Sequence, residues 1–582
     1  MKRVISLILC ILIIMTLVLS VSALSTIQLK SVKLDKSSLA LDTGDTYNLK
    51  VTFTPANTTQ KLLAFTTSDK NVATVDSTGK IIAVKAGSAI ITVSSSNKKV
   101  VPVKCTVTVK QKLPVKIKFI LPYQDEAPSE SNIVVKELNA VCNSIMSIEW
   151  TPMISYNDKF NVLMASNQLP DAVLIPDPKL TIFTSGANAG MFWELTSYLK
   201  QFSELKDINP ILTTNASVDG KLYMIPRERT LKRKIVIYRA DWAKKAGLGA
   251  PDTIEKMYQM AKRFGNGDFD GSMVKDTIGL ALGTVNNEID CFDALVVAFG
   301  GFTKWGVKDG KVIPNYMTAE YMDTMNWLRK MYQEKLVSPD FAITKTTQVV
   351  PDLVDKDRTG LYLGYGLPGL SDAALVRMQK INPTLKRSDI YNYTYLKGPD
   401  GKERIPAETG ISGGFAFPKQ TVKNEARLKE LLSVFNGLIS EKGQILITNG
   451  VPEIHFDLLE GKYSKTKDPA VFKKEVSPIG QIGLSGNKAY IIGDDDIGIR
   501  LNLERRVMTP GMLIPDVTAP LTSKSFNTNN TRLLNIISQA QFKYIMGDID
   551  ESQWNKAVDE WLNAGGNEAI NEYTAAYNKG KK

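Results

Sequence analysis

The chain has 582 residues, 43% hydrophobic and 23% charged, an ordinary globular composition with room for roughly three or four domains of about 150 residues. Its formal net charge is +12, but the basic residues form no concentrated stripe with interleaved aromatics. The field therefore suits an anionic membrane or wall polymer better than nucleic acid. A single histidine, His455, disfavours histidine triads and multi-histidine metal centres, and no P-loop, nucleophile elbow or zinc-protease helix occurs.

At the N-terminus, Lys2-Arg3 precede an apolar run from Val4 to Leu19, and Val21-Ser22-Ala23 offers small residues at the cleavage positions. This pattern predicts a signal peptide over residues 1–23 and a chain that lies outside the cytoplasm, secreted or held at the cell surface. An uncleaved anchor is the alternative, since the run approaches the ~18 residues that span a bilayer. Cys10 sits inside the run. Cys105, Cys142 and Cys291 remain, an odd and widely spaced set that reads as buried free thiols, not a disulfide framework or a zinc site.

Over residues 31–110, short β-rich runs recur at Tyr47 to Phe53, Leu62 to Thr66, Ala73 to Val75, Ile81 to Val84, Ala89 to Val93 and Cys105 to Val109. Turn signals such as Asp42-Thr43-Gly44-Asp45 and Ser77-Thr78-Gly79 separate them, and several runs alternate apolar and polar residues, as sandwich strands do. The phrase Ser68-Asp69-Lys70-Asn71-Val72-Ala73-Thr74-Val75-Asp76, followed by Val84-Lys85-Ala86-Gly87 and Ile90-Ile91-Thr92-Val93, resembles the bacterial Ig-like domain of group 2. That resemblance implies an all-β sandwich acting as a spacer. Lys112-Leu113-Pro114 closes a linker over residues 111–114.

From Val115 to Lys582, helix and strand patterns alternate. Tyr156-Asn157-Asp158-Lys159-Phe160 opens a helix that stops at Leu169-Pro170, because proline disfavours helical geometry in the residue before it. Asp171-Ala172-Val173-Leu174-Ile175 is a buried strand. Asp219-Gly220 is a turn feeding a strand that ends at Pro226. Ile235-Val236-Ile237-Tyr238 is a strand followed by a helix from Asp241, and Lys232-Arg233-Lys234 reads as a solvated loop. Near the C-terminus, Asp550 precedes a helix with Trp554, Val558 and Trp561 on one face. Ala564-Gly565-Gly566 stops it, and a last helix follows from Asn567.

Three phrases carry a second resemblance: Tyr156 to Val173, Asp219-Gly220-Lys221-Leu222-Tyr223-Met224-Ile225-Pro226, and Tyr238-Arg239-Ala240-Asp241-Trp242. In this order they resemble the extracellular solute-binding proteins of ABC importers, in particular the large carbohydrate-type lipoproteins. The resemblance implies an α/β, two-lobed periplasmic-binding-protein-like module of type II over residues 115–582. It implies a division of labour as well: a monomeric receptor that closes on an oligosaccharide by hinge motion and delivers it to ABC permease subunits in the membrane. It also implies a first lobe from Lys116 to about Ile237, with the chain returning to that lobe between residues 340 and 420. No cysteine follows the apolar N-terminal run, a departure from the lipoprotein pattern. Two rivals remain open on the sequence: an extracellular polysaccharide-degrading enzyme, and a surface adhesin or sensor that keeps the binding fold.

Sugar recognition needs flat apolar faces for C–H groups and planar hydrogen-bonding groups for hydroxyls. Trp193, Tyr223, Arg227, Arg229, Tyr238, Arg239, Trp305 and Tyr365 could supply them from strand-end loops. Arg227 and Arg229, just after Pro226, suit an acidic saccharide because guanidinium groups grip carboxylates in a bidentate fashion. Gly364-Tyr365-Gly366-Leu367-Pro368-Gly369 reads as a strand-end loop at the cleft. No catalytic residue and no organic cofactor are expected. One loop has metal-ligand spacing: Asp268, Asp270, Ser272 and Asp276 place oxygens at positions 1, 3, 5 and 9, with the Val274 carbonyl at 7. It precedes Thr277-Ile278-Gly279-Leu280 and implies a structural calcium ion, although Met273 stands where an EF-hand has its turn glycine.

Overall fold

The computed structural model describes residues 26–365, 373–461, 463–485, 487–493, 496–507 and 511–580. The expected signal over 1–23 and the Gly366 to Gly369 part of the glycine-rich loop lie outside them. The chain divides into two compact units, Met1–Pro114 and Val115–Lys582.

The described residues of the first unit are all β. Strands β1 (Ser31–Leu34), β2 (Ser38–Asp42), β3 (Thr46–Asn48), β4 (Val51–Thr54), β5 (Leu63–Thr67), β6 (Ala73–Val75), β7 (Lys80–Ala83), β8 (Gly87–Ser95) and β9 (Val103–Lys110) follow in order. They form a four-stranded sheet β2-β9-β8-β5, a three-stranded sheet β3-β7-β6 and a β1-β4 pair. The alternation in β9 puts Cys105, Val107 and Val109 inward, where they meet Ile91, Val93, Ile81 and Ala83 in one core. The run from Tyr47 to Phe53 is two strands, β3 and β4, paired to different neighbours, β7 and β1. The turn at Ser77-Thr78-Gly79 is set by Asp76, whose carboxylate accepts the amides of Thr78 (2.8 Å) and Lys80 (3.0 Å). Gly79 takes φ +88°, a conformation side-chain-bearing residues avoid.

The second unit has two lobes. In the first, β10 (Val115–Tyr123), β11 (Ser144–Pro152) and β12 (Ala172–Ile175) are parallel neighbours in a five-stranded sheet. The strand Ile411–Ala416, arriving after the chain has built the second lobe, inserts antiparallel between β12 and β13 (Met224–Glu228). The helix Met153–Ser166 ends where Asn167 turns left-handed (φ +55°), just before Leu169-Pro170. β12 is buried along its whole length, as its unbroken apolar run requires. β13 does not stop at Pro226: the proline pairs opposite Gly414, and the strand runs on through a register shift to Glu228. Proline is tolerated there because β13 is the sheet's edge.

The second lobe starts earlier than the resemblance implied. β14 (Ile235–Arg239) pairs with Leu361–Gly364 and Tyr391–Thr394 in a separate three-stranded sheet, so Ile237 belongs to the second lobe. Its core gathers Trp242, Phe264 and Phe269 at one end and Trp305, Trp554, Trp561 and Tyr573 at the other. The C-terminal helix Glu551–Trp561 carries an Asp550–Gln553 capping box, buries Trp554 and Trp561, and yields at Gly565 (φ +125°) to Asn567–Gly580. The tryptophans are therefore core residues.

The chain crosses between the lobes after β13 and again before Ile411. These two crossings bond to one another: Arg229 N donates to Gly410 O (2.8 Å) and Glu408 N to Leu231 O (3.0 Å). Gly410 sits at φ +78°, where a Cβ would come within 2.9 Å of the Leu231 side chain. Among the described residues no helix is long and apolar enough to cross a membrane. Cys105, Cys142 and Cys291 are buried free thiols.

Candidate functional site

The carboxyl end of β12 and the two crossings face the second lobe across a cavity of about 670 Å³, within the range of small-ligand sites. The first lobe contributes the loop Pro176-Asp177-Pro178-Lys179, Arg229 and the start of the Ile411–Ala416 strand. The second contributes an aromatic wall (Trp305, Tyr316, Tyr321, Phe526 and Tyr573) and an acidic edge of Glu288, Asp290, Asp293 and Asp516.

The charges on the two walls are held differently. Lys179 follows a Pro-Asp-Pro turn in which the Asp177 carboxylate accepts the Lys179 backbone amide (2.8 Å). Its Nζ is buried without a hydrogen-bond partner, and burial lowers the ammonium pKa against the pull of Asp177, Asp219 and Asp516. The exposed Arg229 side chain has no ion pair or hydrogen bond among the described residues. By contrast, Lys234 is paired to Asp293 (2.6 Å) and Glu408 (3.3 Å). Burial works against its charge, but those two carboxylates raise its pKa overall. Burial raises the Glu288 pKa despite nearby Lys304, and it raises Asp516 despite the hydrogen bonds from Thr518.

The structure divides the eight sugar-site candidates. Arg229, Trp305 and Tyr365 line the cavity. Trp305 does so as part of the core, packed against Phe526, Trp561 and Tyr573. Tyr365 donates its hydroxyl to Asp290 (2.7 Å) and lies under the Arg233 guanidinium at 4.7 Å. Arg227 points the other way. It is consumed by the carbonyls of Gly483 (3.2 Å), Ser412 (3.1 Å) and Gly480 (3.2 Å), and burial pulls its pKa down to about 10. Trp193 donates its indole N–H to Val422 O (2.8 Å) inside the first lobe. Tyr223 and Tyr238 are buried in the two lobe cores. Arg239 is locked by Asp241 (2.6 Å) and Asp357 (2.7 Å) over the Trp242 ring. These five sit away from the cavity because their polar atoms are spent on, or enclosed by, their own lobes.

The Lys232-Arg233-Lys234 triplet is not a solvated loop. The Lys232 side chain is 4% exposed and rests over the Tyr395 ring at 4.0 Å, and Lys234 is the buried ion-paired residue above. Sequence reading missed Lys179, Glu288, Lys304 and Asp516. Lys179 had a usable signal, a cation four residues beyond the end of a fully buried strand.

In the metal-type loop, Asp268 accepts the amides of Gly271 (2.8 Å) and Met273 (3.0 Å), and Asp270 accepts that of Ser272 (3.0 Å). Met273 replaces the turn glycine by adopting φ +62° itself. Asp276 leaves Oδ1 buried without a partner. Among the described residues no three acidic, cysteine or histidine side chains gather closely enough to hold a metal ion. The loop supplies hard oxygen donors of the kind calcium takes, but the Asp268 and Asp270 carboxylates are turned to the loop's own amides and do not form a closed ligand set.

Comparison with known proteins places this geometry. Residues 28–110 match the family described as "Bacterial Ig-like domain (group 2)". The chain is 32% identical over 468 residues to the polygalacturonan/rhamnogalacturonan-binding protein YtcQ of Bacillus subtilis (strain 168), covering 79% of this chain and 90% of YtcQ. The chain belongs to the extracellular solute-binding proteins of ABC importers. It is also 33% identical over 474 residues to lipoprotein LipO of the same organism, covering 80% of this chain and 93% of LipO. The fold of an extracellular solute-binding protein from Bifidobacterium longum subsp. infantis superposes with a TM-score of 0.64 at 17% identity, over 81% of this chain and 99% of that one. The two-lobed α/β module and the N-terminal Ig-like sandwich are thus those of a solute-binding protein of this family with an added β domain.

Proposed function

We propose that the protein captures an acidic oligosaccharide outside the cell and passes it to ABC permease subunits. The observation that carries the acidic specificity is the pair Lys179 and Arg229. Both lie on one wall of the inter-lobe cavity, and neither has a hydrogen-bonded or ion-paired protein partner among the described residues. A buried ammonium without an acceptor is unfavourable in the empty site, and a uronate carboxylate would satisfy it. The facing aromatic wall supplies apolar surface for sugar C–H groups. The similarity to YtcQ, whose name describes binding of galacturonate-containing polymers, supports the same class. Binding and closure about the paired crossings do the work, and no bond is made or broken. Glu288 and Asp516 at the second lobe's edge would accept hydrogen bonds from hydroxyls.

The residue 1–23 signal would direct the chain out of the cytoplasm, the Ig-like domain would hold the receptor away from the surface, and the receptor would act as a monomer. Asp268, Asp270, Ser272, Asp276 and the Val274 carbonyl would hold a structural calcium ion that tightens the loop. Titration calorimetry tests the ligand class. Oligogalacturonides should bind at micromolar Kd or better, about −8 kcal/mol, and neutral fructo- or malto-oligosaccharides should bind far more weakly. Equal binding of neutral and acidic sugars, or of neither, refutes the reading.

A further inference from the structure

A second cavity, of about 450 Å³, opens inside the first lobe, and Arg229 and Ser412 stand in the walls of both cavities. It is bounded by β13, the strand Ile411–Ala416, the helix Glu441–Asn449, the helix Pro469–Glu475 and the turn Ser477–Ile482. Its chemistry repeats that of a sugar site. Phe472 is half-buried and gives a flat apolar face, flanked by Ile447 and Val476. Thr448 and Ser477 bring hydroxyls. The Arg227 guanidinium forms the floor. Its three hydrogen bonds to Ser412, Gly480 and Gly483 carbonyls fix the wall, and they use only three of the five N–H groups a guanidinium carries. Glu228, the one acid in the lining, is occupied by the side chains of Ser485 and Asn487. Two arginines with one engaged carboxylate leave this cavity, like the first, suited to a negative ligand.

We infer that the second cavity receives a further uronate unit of the same chain of sugars, so that the protein selects acidic oligosaccharides by length. Arg229, at the junction, contacts the residue that passes from one cavity to the other. The inference rests on the acidic-oligosaccharide reading above and adds a subsite to it. An oligosaccharide that fills only the inter-lobe cavity gains nothing from Phe472 or Arg227. A longer one does.

Gly480 gives a clean perturbation. A Cβ built there meets nothing within 4 Å, and its carbonyl still accepts from Arg227, so Gly480→Leu adds a bulky side chain at the cavity's lining without a clash at its Cβ. The full secreted chain, as wild type, Gly480→Leu and Phe472→Ala, is titrated with size-defined oligogalacturonides from the dimer to the hexamer. Melting curves confirm that each variant is folded. Wild-type affinity should rise by about tenfold or more beyond the length that fills the first cavity, and both variants should lose that rise while binding short oligomers as the wild type does. Wild-type affinity that is flat with length, or a rise kept in either folded variant, overturns the second subsite and leaves the acidic-oligosaccharide reading standing. Failure of every oligogalacturonide to bind the wild type overturns both.

Discussion

Replacing Lys179 with Met separates a ligand-binding cation from a structural one, because the two roles predict opposite signs. In the ligand-free protein the Lys179 ammonium is buried without a hydrogen-bond partner. Leaving such a group unsatisfied costs about 1–3 kcal/mol, partly offset by attraction to Asp177, Asp219 and Asp516, which oppose the burial-driven fall in its pKa. Methionine keeps much of the length and removes the charge, so the empty protein should be stabilised. For domains of 150–250 residues 1 kcal/mol moves Tm by about 2–4 °C, and this larger module should respond at the low end. With an acidic oligosaccharide bound, the same ammonium donates a charged hydrogen bond worth about 1.5–3 kcal/mol. Its loss should weaken binding by roughly 10- to 150-fold at about 1.4 kcal/mol per decade. Calorimetry on the ligand-free variant and titration with an oligogalacturonide read the two effects separately. A lower Tm together with unchanged affinity would show that Lys179 is held by the fold itself, and would remove the main support for a carboxylate ligand.

The other expectations follow from the same geometry. Arg229→Ala should weaken acidic-sugar binding by about 1.5–3 kcal/mol while leaving the melt nearly unchanged. Arg227→Ala should instead lower Tm, since it strips the carbonyls of Ser412, Gly480 and Gly483 of their donor; thermal denaturation of the pair reads the contrast. Burial raises the Glu288 pKa, so as pH falls from neutrality Glu288 takes its proton before an exposed carboxyl does. The folded state then binds more protons than the unfolded one, and this group's share of stability grows as pH falls and is lost as pH rises through the raised value. The cavity also sheds a negative charge while the sugar carboxylates remain ionised, so affinity for an acidic ligand should first rise on mild acidification and drop once those carboxylates protonate. Glu288→Gln should flatten the rise in a pH series of titrations. Millimolar Ca²⁺ should raise Tm and chelator lower it, in the range of about 10⁻⁴ to 10⁻³ M for extracellular sites. Asp268→Ala should remove that response, and a melt indifferent to both would reduce the loop to an acidic turn.

Much of the fold was legible because it rests on local chemistry. The unbroken apolar run at Ala172–Ile175 could only be a strand buried on both faces. Asp550 and Ala564-Gly565-Gly566 marked the start and stop of the penultimate helix. The alternation in Val103–Lys110 gave the sandwich core. The misreadings share one cause, which is that partners lie far away in sequence. Lys232 and Lys234 looked solvated until Glu403, Asp293 and Glu408 arrived from the second lobe. Arg227 looked free to reach into the inter-lobe cleft because its acceptors come from residues 412, 480 and 483. Pro226 looked like a strand end because only the sheet order shows that β13 is an edge.

The difference between Arg227 and Arg229 carries the argument about function furthest. A regular strand would put residues two apart on one face, but the register shifts between Pro226 and Glu228 and β13 ends at Glu228, so Arg229 is free of that alternation. One is satisfied by backbone carbonyls and is needed for the wall. The other lines both cavities, and its side chain has no hydrogen-bond or ion-pair partner among the described residues. A protein under selection for stability alone would pair or replace Lys179, since a buried cation without a partner is unfavourable. On the proposed reading, the place of Lys179 and Arg229 on the wall that faces the aromatic cluster is what a receptor for an acidic sugar would need: an anionic ligand would complete this charge, and the binding energy would help draw the two lobes together over it.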